Sequence, residues 1–465
     1  VNFDGKNLVD ISEKDMVKLR GRDISMIFQD PAASLSPTDT IGKQLSEVFS
    51  LHEGLKKREA DEKSIDMLNK VGINESRLRM KQYPHELSGG MLQRVMIAMA
   101  LACKPKLLIA DEPTTALDVT TQKQILILIK ELCEELNTAA IIISHDLRII
   151  AEVSDRVLVM KDGRIVEEAE SKEIFNKPKS DYAKLLISSI PDMSGFREVG
   201  QTKGVVLLTV ENLKVSFAGR KGLFGRTEYI PAVDGVSFDV YKGETLGLVG
   251  ESGCGKSTLS RTILKLIKKT SGRIVFDGEE IESLSKQDMK CFRKRVQLIF
   301  QNSYSSLNPR MTIRESLFAP LNNLGIRGEE AEERVKRALY EIGLNEGFAE
   351  RYPHELSGGQ KQRIVIARAL IGEPELVICD EPVSALDVSI QAEILALLEK
   401  FKKEKGLTYI FISHDLGVVK NISDRVMVMY KGRIVEENST REIFENPKDD
   451  YTKELLASIP GIKAV

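Results

Sequence analysis

Residues 250–258 form a glycine-rich segment whose residue types could hold a chain of phosphates. The segment fits the pattern G-x-x-x-x-G-K-[ST] and follows an apolar, strand-like run at 245–249. Glycines let successive backbone N–H groups face phosphate oxygens, a lysine reaches the terminal phosphates, and a serine hydroxyl can ligate Mg²⁺. A chance match in a chain of this length has a probability on the order of 1%. The predicted phosphate-contacting residues are Gly250, Glu251, Ser252, Gly253, Cys254, Gly255, Lys256, Ser257 and Thr258.

Two further apolar runs, at 107–110 and 376–379, each end in an acidic pair. The pairs are Asp111-Glu112 and Asp380-Glu381. A first carboxylate at a sheet edge suits Mg²⁺, and a second suits a water molecule that attacks the terminal phosphate. Taken alone, such a pair is more often the start of a solvated loop. The phosphate loop upstream favours the chemical interpretation for Asp380 and Glu381.

Two Ser-Gly-Gly segments precede helix-like runs. They are Ser88, Gly89 and Gly90, and the triplet at 357–359. A serine at this position is often only a helix N-cap. It can also form an anion site, because the exposed N–H groups and the helix dipole attract a phosphate that arrives from another domain. Since the segment occurs twice at a fixed distance before an acidic pair, we expect the anion site.

These motifs recur with a shift of 269 residues. The octapeptide at 83–90 returns unchanged at 352–359, and the acidic pairs and the Ala-Leu-Asp and Ser-His-Asp segments follow the same shift. We therefore expect two tandem copies of one domain: a first at 1–191, a linker at 192–206 and a second at 207–465. Residue 1 aligns with residue 274, so the first copy is expected to lack about 69 residues, among them its phosphate loop.

The composition excludes several classes of protein. The 465 residues carry 67 Lys and Arg against 69 Asp and Glu, without the basic excess of a nucleic-acid-binding protein. No run reaches the roughly 18 apolar residues that a membrane span needs, and five scattered cysteines argue against a disulfide framework, a zinc site or an iron–sulfur cluster. The first residues lack an initiator Met and the basic-then-apolar pattern of a signal peptide, which indicates a cytoplasmic protein or a fragment.

The order of the motifs resembles that of the ATP-binding cassette of ABC transporters. The motifs are, in chain order, the phosphate loop, Gln301 after an apolar run, Leu-Ser-Gly-Gly-Gln, Asp-Glu, Ala-Leu-Asp and Ser-His-Asp. The resemblance implies an α/β fold of tandem P-loop NTPase cassettes, each with a mainly parallel sheet core, an antiparallel β subdomain and a helical subdomain. It also implies that ATP and Mg²⁺ lie between the phosphate loop of one cassette and the Leu-Ser-Gly-Gly loop of another, head to tail.

The resemblance also assigns roles to residues. It implies that Gln301, like Gln29, senses Mg²⁺ and couples to a membrane partner, and that Glu381 polarises water. It implies that Asp387 crosses between cassettes and that His414 contacts the terminal phosphate, although His414 could also be a structural histidine at a strand end. The phosphate loop is expected to pair with Ser88, Gly89, Gly90 and Asp118 of the first copy, which gives one complete site per chain.

Segments 29–37 and 301–309, with the chain endings at 181–191 and 450–460, are similar to the dipeptide and oligopeptide importer branch of this family. The branch usually has His-Pro-Tyr where this chain has Ser-Asp-Tyr and Asp-Asp-Tyr, and the C-terminal cysteine cluster of some members is absent. The branch implies integral membrane permease subunits as partners, an extracytoplasmic solute-binding protein indirectly, no nucleic acid, and a peripheral location at the cytoplasmic face of the membrane. The alternative is a soluble tandem cassette ATPase of translation or DNA repair, which would need a charged arm, zinc-binding cysteines or a basic surface.

An aromatic side chain upstream of the phosphate loop is expected to stack on adenine. Tyr229 is the nearest candidate, and Phe217 or Phe224 could take its place. Tyr229 could equally be an ordinary surface or core aromatic residue.

Overall fold

The computed structural model describes residues 1–114, 119–144, 146–190, 195–196, 204–221, 227–301, 306–384 and 386–457. The chain divides into two compact units, residues 1–187 and 188–465. Most of the predicted linker at 192–206 lies outside the described residues, so its limits stay a prediction.

The first unit contains a three-stranded parallel sheet of order β3-β4-β5 and two separate antiparallel pairs, β1-β2 and β6-β7. The strands of this unit are β1 (Asn2–Phe3), β2 (Lys6–Asn7), β3 (Ile24–Ile27), β4 (Leu107–Asp111), β5 (Ala139–Ile143), β6 (Arg156–Lys161) and β7 (Arg164–Glu170). The helices are α1 (Glu13–Leu19), α2 (Pro31–Ser34), α3 (Ile41–Glu53), α4 (Lys57–Lys70), α5 (Ser76–Arg79), a 3₁₀ turn (Pro84–Glu86), α6 (Gly89–Leu101), α7 (Val119–Leu136), α8 (Leu147–Val153), α9 (Ser171–Asn176) and α10 (Asp181–Ser188).

Helices α3, α4, α6 and α7 pack with the parallel sheet around one hydrophobic core. Its fully buried side chains include Phe49, Leu68, Val95 and Ile129 from these helices and Leu108 from β4. Ser88 and Thr40 accept hydrogen bonds from the first turns of α6 and α3, which fixes where these helices begin. The core therefore positions α6, and with it the Ser-Gly-Gly segment at its N-terminus.

The second unit contains a six-stranded sheet of order β13-β14-β15-β10-β16-β17 and a four-stranded antiparallel sheet of order β12-β11-β8-β9. The strands are β8 (Val206–Lys221), β9 (Thr227–Tyr241), β10 (Thr245–Val249), β11 (Ser271–Phe276), β12 (Glu279–Glu280), β13 (Val296–Ile299), β14 (Leu376–Asp380), β15 (Thr408–Ile412), β16 (Arg425–Tyr430) and β17 (Arg433–Ser439). The helices are α11 (Lys256–Ile263), α12 (Lys286–Arg295), α13 (Ile313–Asn323), α14 (Gly328–Glu341), two 3₁₀ turns (Glu346–Glu350 and Pro353–Glu355), α15 (Gly358–Leu370), α16 (Val388–Lys405), α17 (Leu416–Ile422), α18 (Thr440–Glu445) and α19 (Asp450–Ala457).

Both faces of the six-stranded sheet are buried at its interior strands β10, β14 and β15. Every residue of β10, β14 and β15 is buried, so these strands are continuous apolar runs rather than alternating ones. Successive side chains point to opposite faces: Tyr409 and Phe411 pack in the core that includes helices α15 and α16, and Ile410 and Ile412 pack in the core that includes the antiparallel sheet. The second unit thus has the expected α/β architecture, with a mainly parallel sheet core, an antiparallel sheet and packed helices.

A buried ion pair fixes the start of β10, the strand that leads into the phosphate loop. Lys402 Nζ lies 2.6 Å from Asp424 Oδ2 and donates to Thr245 Oγ1 at 2.8 Å. The backbone N–H of Thr245 donates to the same Asp424 oxygen at 2.7 Å. Because β10 is parallel to both β15 and β16, this arrangement sets the register in which the loop leaves the sheet.

Within the described residues, no helix is both long enough and apolar enough to cross a membrane.

Candidate functional site

The glycine-rich loop begins where β10 ends, and two of its glycines have no possible replacement. Gly250 and Gly255 have φ values of +149° and +110°. A Cβ atom at Gly250 would lie 2.1 Å from the carbonyl oxygen of Met429, and one at Gly255 would lie 2.2 Å from that of Ala232. Close approach to neighbouring backbone therefore requires glycine at both positions.

Lys256, the first residue of α11, folds back over this loop. Its Nζ donates to the carbonyl oxygens of Gly250 at 2.7 Å and Glu251 at 2.8 Å, and lies 3.7 Å from Cys254 Sγ. The side chain is buried, so its positive charge is concentrated at the loop. A lysine in this position can pair with the terminal phosphates of a nucleotide.

Ser257 and Asp380 meet at the carboxyl end of β14. Ser257 Oγ donates to Asp380 Oδ1 at 3.1 Å. Burial of the carboxyl, which is 1% exposed, raises the pKa of Asp380, and the hydrogen bond from Ser257 opposes this. Hydroxyl and carboxylate oxygens are ligands that Mg²⁺ accepts, and Mg²⁺ in such sites takes only one or two carboxylates besides waters and phosphates. The pair therefore fits the predicted metal site, and the described residues contain no cluster of three or more His, Cys, Asp or Glu that could hold a metal alone.

Glu381 is held between two side chains that the sequence also singled out. Gln301 Nε2 donates to Glu381 Oε2 at 2.8 Å, and His414 Nδ1 lies 3.2 Å from the same oxygen. The Gln301 amide is thus hydrogen-bonded to the carboxylate of Glu381. Its predicted role as a Mg²⁺ ligand stays a prediction.

The electrostatics keep Glu381 ionised. Burial favours the neutral carboxyl, but the hydrogen bond and positive charge of His414 outweigh it, so the pKa of Glu381 is lowered. Burial likewise opposes the charged form of His414, but the hydrogen bond and negative charge of Glu381 outweigh it and raise its pKa. An ionised carboxylate in this position can polarise a water molecule.

The Ser-Gly-Gly segment of the first unit is accessible and also caps a helix. Ser88 Oγ accepts from Met91 N at 3.4 Å, and Ser88 and Gly89 are exposed at the N-terminus of α6. In the second unit Ser357 makes the same cap, and Gln360 Oε1 accepts from Ser357 N at 3.1 Å to complete a reciprocal capping box. The cap interpretation and the anion-site interpretation are compatible, because capping leaves other N–H groups of the first turn exposed.

The other predicted residues lie as follows. Ser252 and Gly253 are exposed in the loop, Thr258 lies in the first turn of α11, and Gly90 lies in the first turn of α6. Asp387 is the N-cap residue of α16, while Asp118 lies outside the described residues. Tyr229 is 67% exposed on β9 and pairs with Ala218 of β8, so its assignment to adenine stays a prediction.

Sequence reasoning missed one contact to the loop. The hydroxyl of Tyr451 accepts a hydrogen bond from the backbone N–H of Glu251 at 3.0 Å. The repeated Asp-Tyr pair at 181–182 and 450–451 was the available signal, but it indicated only the importer branch.

This site is that of a P-loop nucleoside triphosphatase. Its glycine loop joins a parallel strand to a helix, its lysine is buried over that loop, and Ser, Asp and Glu side chains lie beside it.

Comparison with known proteins identifies the family. Residues 1–115 and 233–384 match the ABC transporter family, and residues 166–214 and 435–465 match the C-terminal region of oligopeptide/dipeptide transporters. The glutathione import ATP-binding proteins of Salmonella paratyphi A and of Escherichia coli strain K12 are each 45% identical over 484 residues, covering 98% of this chain and 78% of the relative. A solved bacterial ABC transporter cassette, MJ0796 as a dimer, is 31% identical, with 50% of this chain and 99% of that chain covered and a TM-score of 0.45.

The chain belongs to the ABC transporter family. It is an ATP-binding subunit of an importer of the oligopeptide/dipeptide type and an ATPase coupled to transport, so the predicted family, branch and activity are confirmed. Subunits of this family bind ATP and work with membrane permease components.

Proposed function

We propose that this chain lies at the cytoplasmic face of the cell membrane and hydrolyses ATP, in the presence of Mg²⁺, to drive uptake through separate permease subunits. The observation that carries the proposal is the position of Glu381, held by Gln301 and His414 beside the Ser257–Asp380 pair. A water molecule polarised there would face the terminal phosphate that Lys256 holds.

Each side chain has a distinct role in this proposal. The backbone N–H groups of residues 250–258 and the charge of Lys256 hold the phosphates. Ser257 and Asp380, with Gln301, hold Mg²⁺, which when bound neutralises negative charge on the phosphates. Glu381 polarises the attacking water, and His414 orients Glu381 and contacts the terminal phosphate.

The second half of the site comes from the other cassette. In a head-to-tail pair, Ser88, Gly89 and Gly90 bring the N-terminus of α6 to the terminal phosphate, where its exposed N–H groups and dipole stabilise negative charge. For the remaining predicted residues we propose the roles that the family resemblance implies: Asp387 and Asp118 act where two cassettes meet, and Tyr229 stacks on adenine.

Membership of the importer branch supports the proposal of membrane partners. Helices α13 and α14 lie between Gln301 and the second Ser-Gly-Gly segment, where they can receive a permease helix and report its movement to the site. The relatives are named glutathione import ATP-binding proteins, so we propose a short peptide of that class as the solute, delivered by an extracytoplasmic solute-binding protein.

Association with permeases tests this proposal. We expect the purified chain to bind its permease subunits in detergent and its ATP turnover to rise severalfold in their presence. Treatment with RNase should not change the binding, because the near-balance of 67 basic and 69 acidic residues provides little attraction for nucleic acid. Salt-sensitive retention of RNA without permease association would instead support a translation factor.

A further inference from the structure

The contact between Tyr451 and the phosphate loop links the C-terminal region to the nucleotide site. Tyr451 belongs to α19, 200 residues along the chain from Glu251, and its hydroxyl accepts the Glu251 N–H at 3.0 Å. Lys256 Nζ donates to the carbonyl oxygen of the same Glu251 at 2.8 Å. The two peptide groups that flank this residue are therefore held from different elements.

Tyr451 is itself fixed on both sides. The carboxylate of Glu436, on β17, accepts from the backbone N–H groups of Lys448 at 2.9 Å and Asp449 at 3.0 Å. Asp449 Oδ1 then accepts from Tyr451 N at 2.9 Å. We call the two hydrogen bonds from the backbone to the Glu436 carboxylate the bracket. The bracket ties the start of α19 to the edge strand of the sheet.

The ring of Tyr451 stacks on Tyr430, with ring centroids 4.2 Å apart and planes inclined by 29°. Tyr430 follows Met429, whose carbonyl oxygen is the atom that excludes a Cβ at Gly250. The end of β16 thus contacts the loop at Gly250 and holds the tyrosine that reaches Glu251. Burial of the Tyr451 hydroxyl raises its pKa, so it remains protonated and neutral at physiological pH.

The first unit repeats the bracket without the loop. Glu167 accepts from the backbone N–H groups of Lys179 at 2.8 Å and Ser180 at 2.7 Å, and Tyr182 follows them. Lys161 Nζ lies over the ring of Tyr182, 5.1 Å from the ring centroid. In the repeat, Lys161 is the residue that matches Tyr430. The bracket alone therefore belongs to the fold of both units, while the stacked tyrosine pair and the contact to a phosphate loop belong to the second.

We propose that Tyr451 is a positioning residue for the phosphate loop, with its hydroxyl holding the Glu251 N–H so that the loop is preorganised for ATP. The inference rests on the proposed function, since it concerns the same nucleotide site. Preorganisation reduces the ordering cost of binding, so its loss weakens nucleotide affinity. Glu381 and its neighbours are untouched, and the step at the terminal phosphate keeps its rate.

The test is Tyr451→Phe in the full 465-residue chain, with Tyr182→Phe as the matched control. For Tyr451→Phe we expect the Kd for ATP and the KM to rise about fivefold, the size expected for one lost hydrogen bond, with kcat within about twofold of the parent. Tyr182→Phe should leave all three values unchanged. Hydrogen exchange of the Glu251 amide should accelerate in Tyr451→Phe alone.

Lys256→Ala separates this inference from the proposed function. If Lys256→Ala binds ATP as tightly as the parent, the assignment of the site is wrong, whatever Tyr451 does. If Lys256→Ala loses ATP binding while Tyr451→Phe keeps the parental Kd, or lowers kcat without changing KM, the positioning role is wrong and the proposed function stands. Unchanged exchange of the Glu251 amide in Tyr451→Phe would also overturn the role.

Discussion

The two units build the same acidic turn on two different sheets. In the first, Glu112 N–H donates to the carbonyl oxygen of Ile143 at 2.9 Å, and Gln29 Nε2 donates to Glu112 Oε2 at 2.7 Å. In the second, Glu381 N–H donates to the carbonyl oxygen of Ile412 at 2.9 Å, and Gln301 donates to Glu381 at 2.8 Å. Both glutamates have left-handed backbone, with φ values of +44° and +49°.

The sheets beneath these turns differ at one strand. In the second unit β10 lies between β15 and β16, whereas in the described part of the first unit β5 ends a three-stranded sheet and β6 pairs only with β7. Ile141 on β5 is 50% exposed, and Ile410, at the matching position of β15, is 2% exposed. The acidic turn thus needs only the two strands that form it, β4 and β5 in the first unit and β14 and β15 in the second. Burial of β15 also needs the adjacent strand β10.

Replacement of the matched glutamates should reveal the largest difference between the two units, measured as ATP turnover. We expect Glu381→Gln to lower ATP turnover on the order of 100-fold, because the amide cannot polarise water as the carboxylate does. Glu112→Gln should keep turnover within about twofold, because the chain carries the phosphate-loop pattern only at residues 250–257. Steady-state release of phosphate at saturating ATP measures both variants.

Nucleotide binding provides the control for that experiment. Glu381→Gln should retain ATP with the parental affinity, since Lys256 and the loop are unchanged. Parental turnover in Glu381→Gln would show that another group polarises the water. A large loss in Glu112→Gln would show that the similar turns serve two equivalent sites, formed with phosphate loops from other chains.

A smaller effect is expected on stability, at the matched isoleucines. Ile410→Ala should lower the free energy of unfolding of its unit by about 2–4 kcal/mol, because it leaves a cavity between buried strands. Ile141→Ala should change stability by less than about 0.5 kcal/mol, since half of the side chain is already exposed. Urea unfolding followed by far-ultraviolet circular dichroism measures the change. Equal losses would mean that β5 has a covering strand in the purified protein.

The features predictable from sequence are those set by short segments. The phosphate loop, the acidic pairs and the helix caps at Ser88 and Ser357 are read from contiguous residues, because their geometry depends on local backbone rules. The same local pattern also predicts helix α6, which begins at Gly89 directly after the capping Ser88. The 269-residue repeat then extended each assignment to its partner copy.

The contacts missed from sequence join distant segments. Tyr451 reaches Glu251 across 200 residues, and Lys402 pairs with Asp424 to hold the start of β10. Neither pair has a spacing that a helix or a hairpin would produce, so no local periodicity indicates it. Only the packing of α19 and α16 against the six-stranded sheet brings these side chains together.

The two Ser-Gly-Gly segments offer the smallest predicted difference, about tenfold. We expect the double variant Ser88→Ala, Gly89→Ala to lower ATP turnover about tenfold, because only this segment faces a phosphate loop in the proposed head-to-tail pair. The matched variant Ser357→Ala, Gly358→Ala should stay within about twofold. Each variant removes one helix cap, so the cost in stability, about 1 kcal/mol, is common to both and the difference in turnover reports the site.

The stoichiometry of bound ATP decides whether this pairing is correct. With hydrolysis blocked by Glu381→Gln, equilibrium dialysis should give about one ATP per chain, since one phosphate loop is present at residues 250–257. Adding the Ser88→Ala, Gly89→Ala changes should weaken that binding, because in the proposed head-to-tail pair the first turn of α6 would supply the opposing N–H groups. Equal losses of turnover from the two segments would instead mean that the composite sites form between chains, with each Ser-Gly-Gly segment facing the phosphate loop of a different molecule.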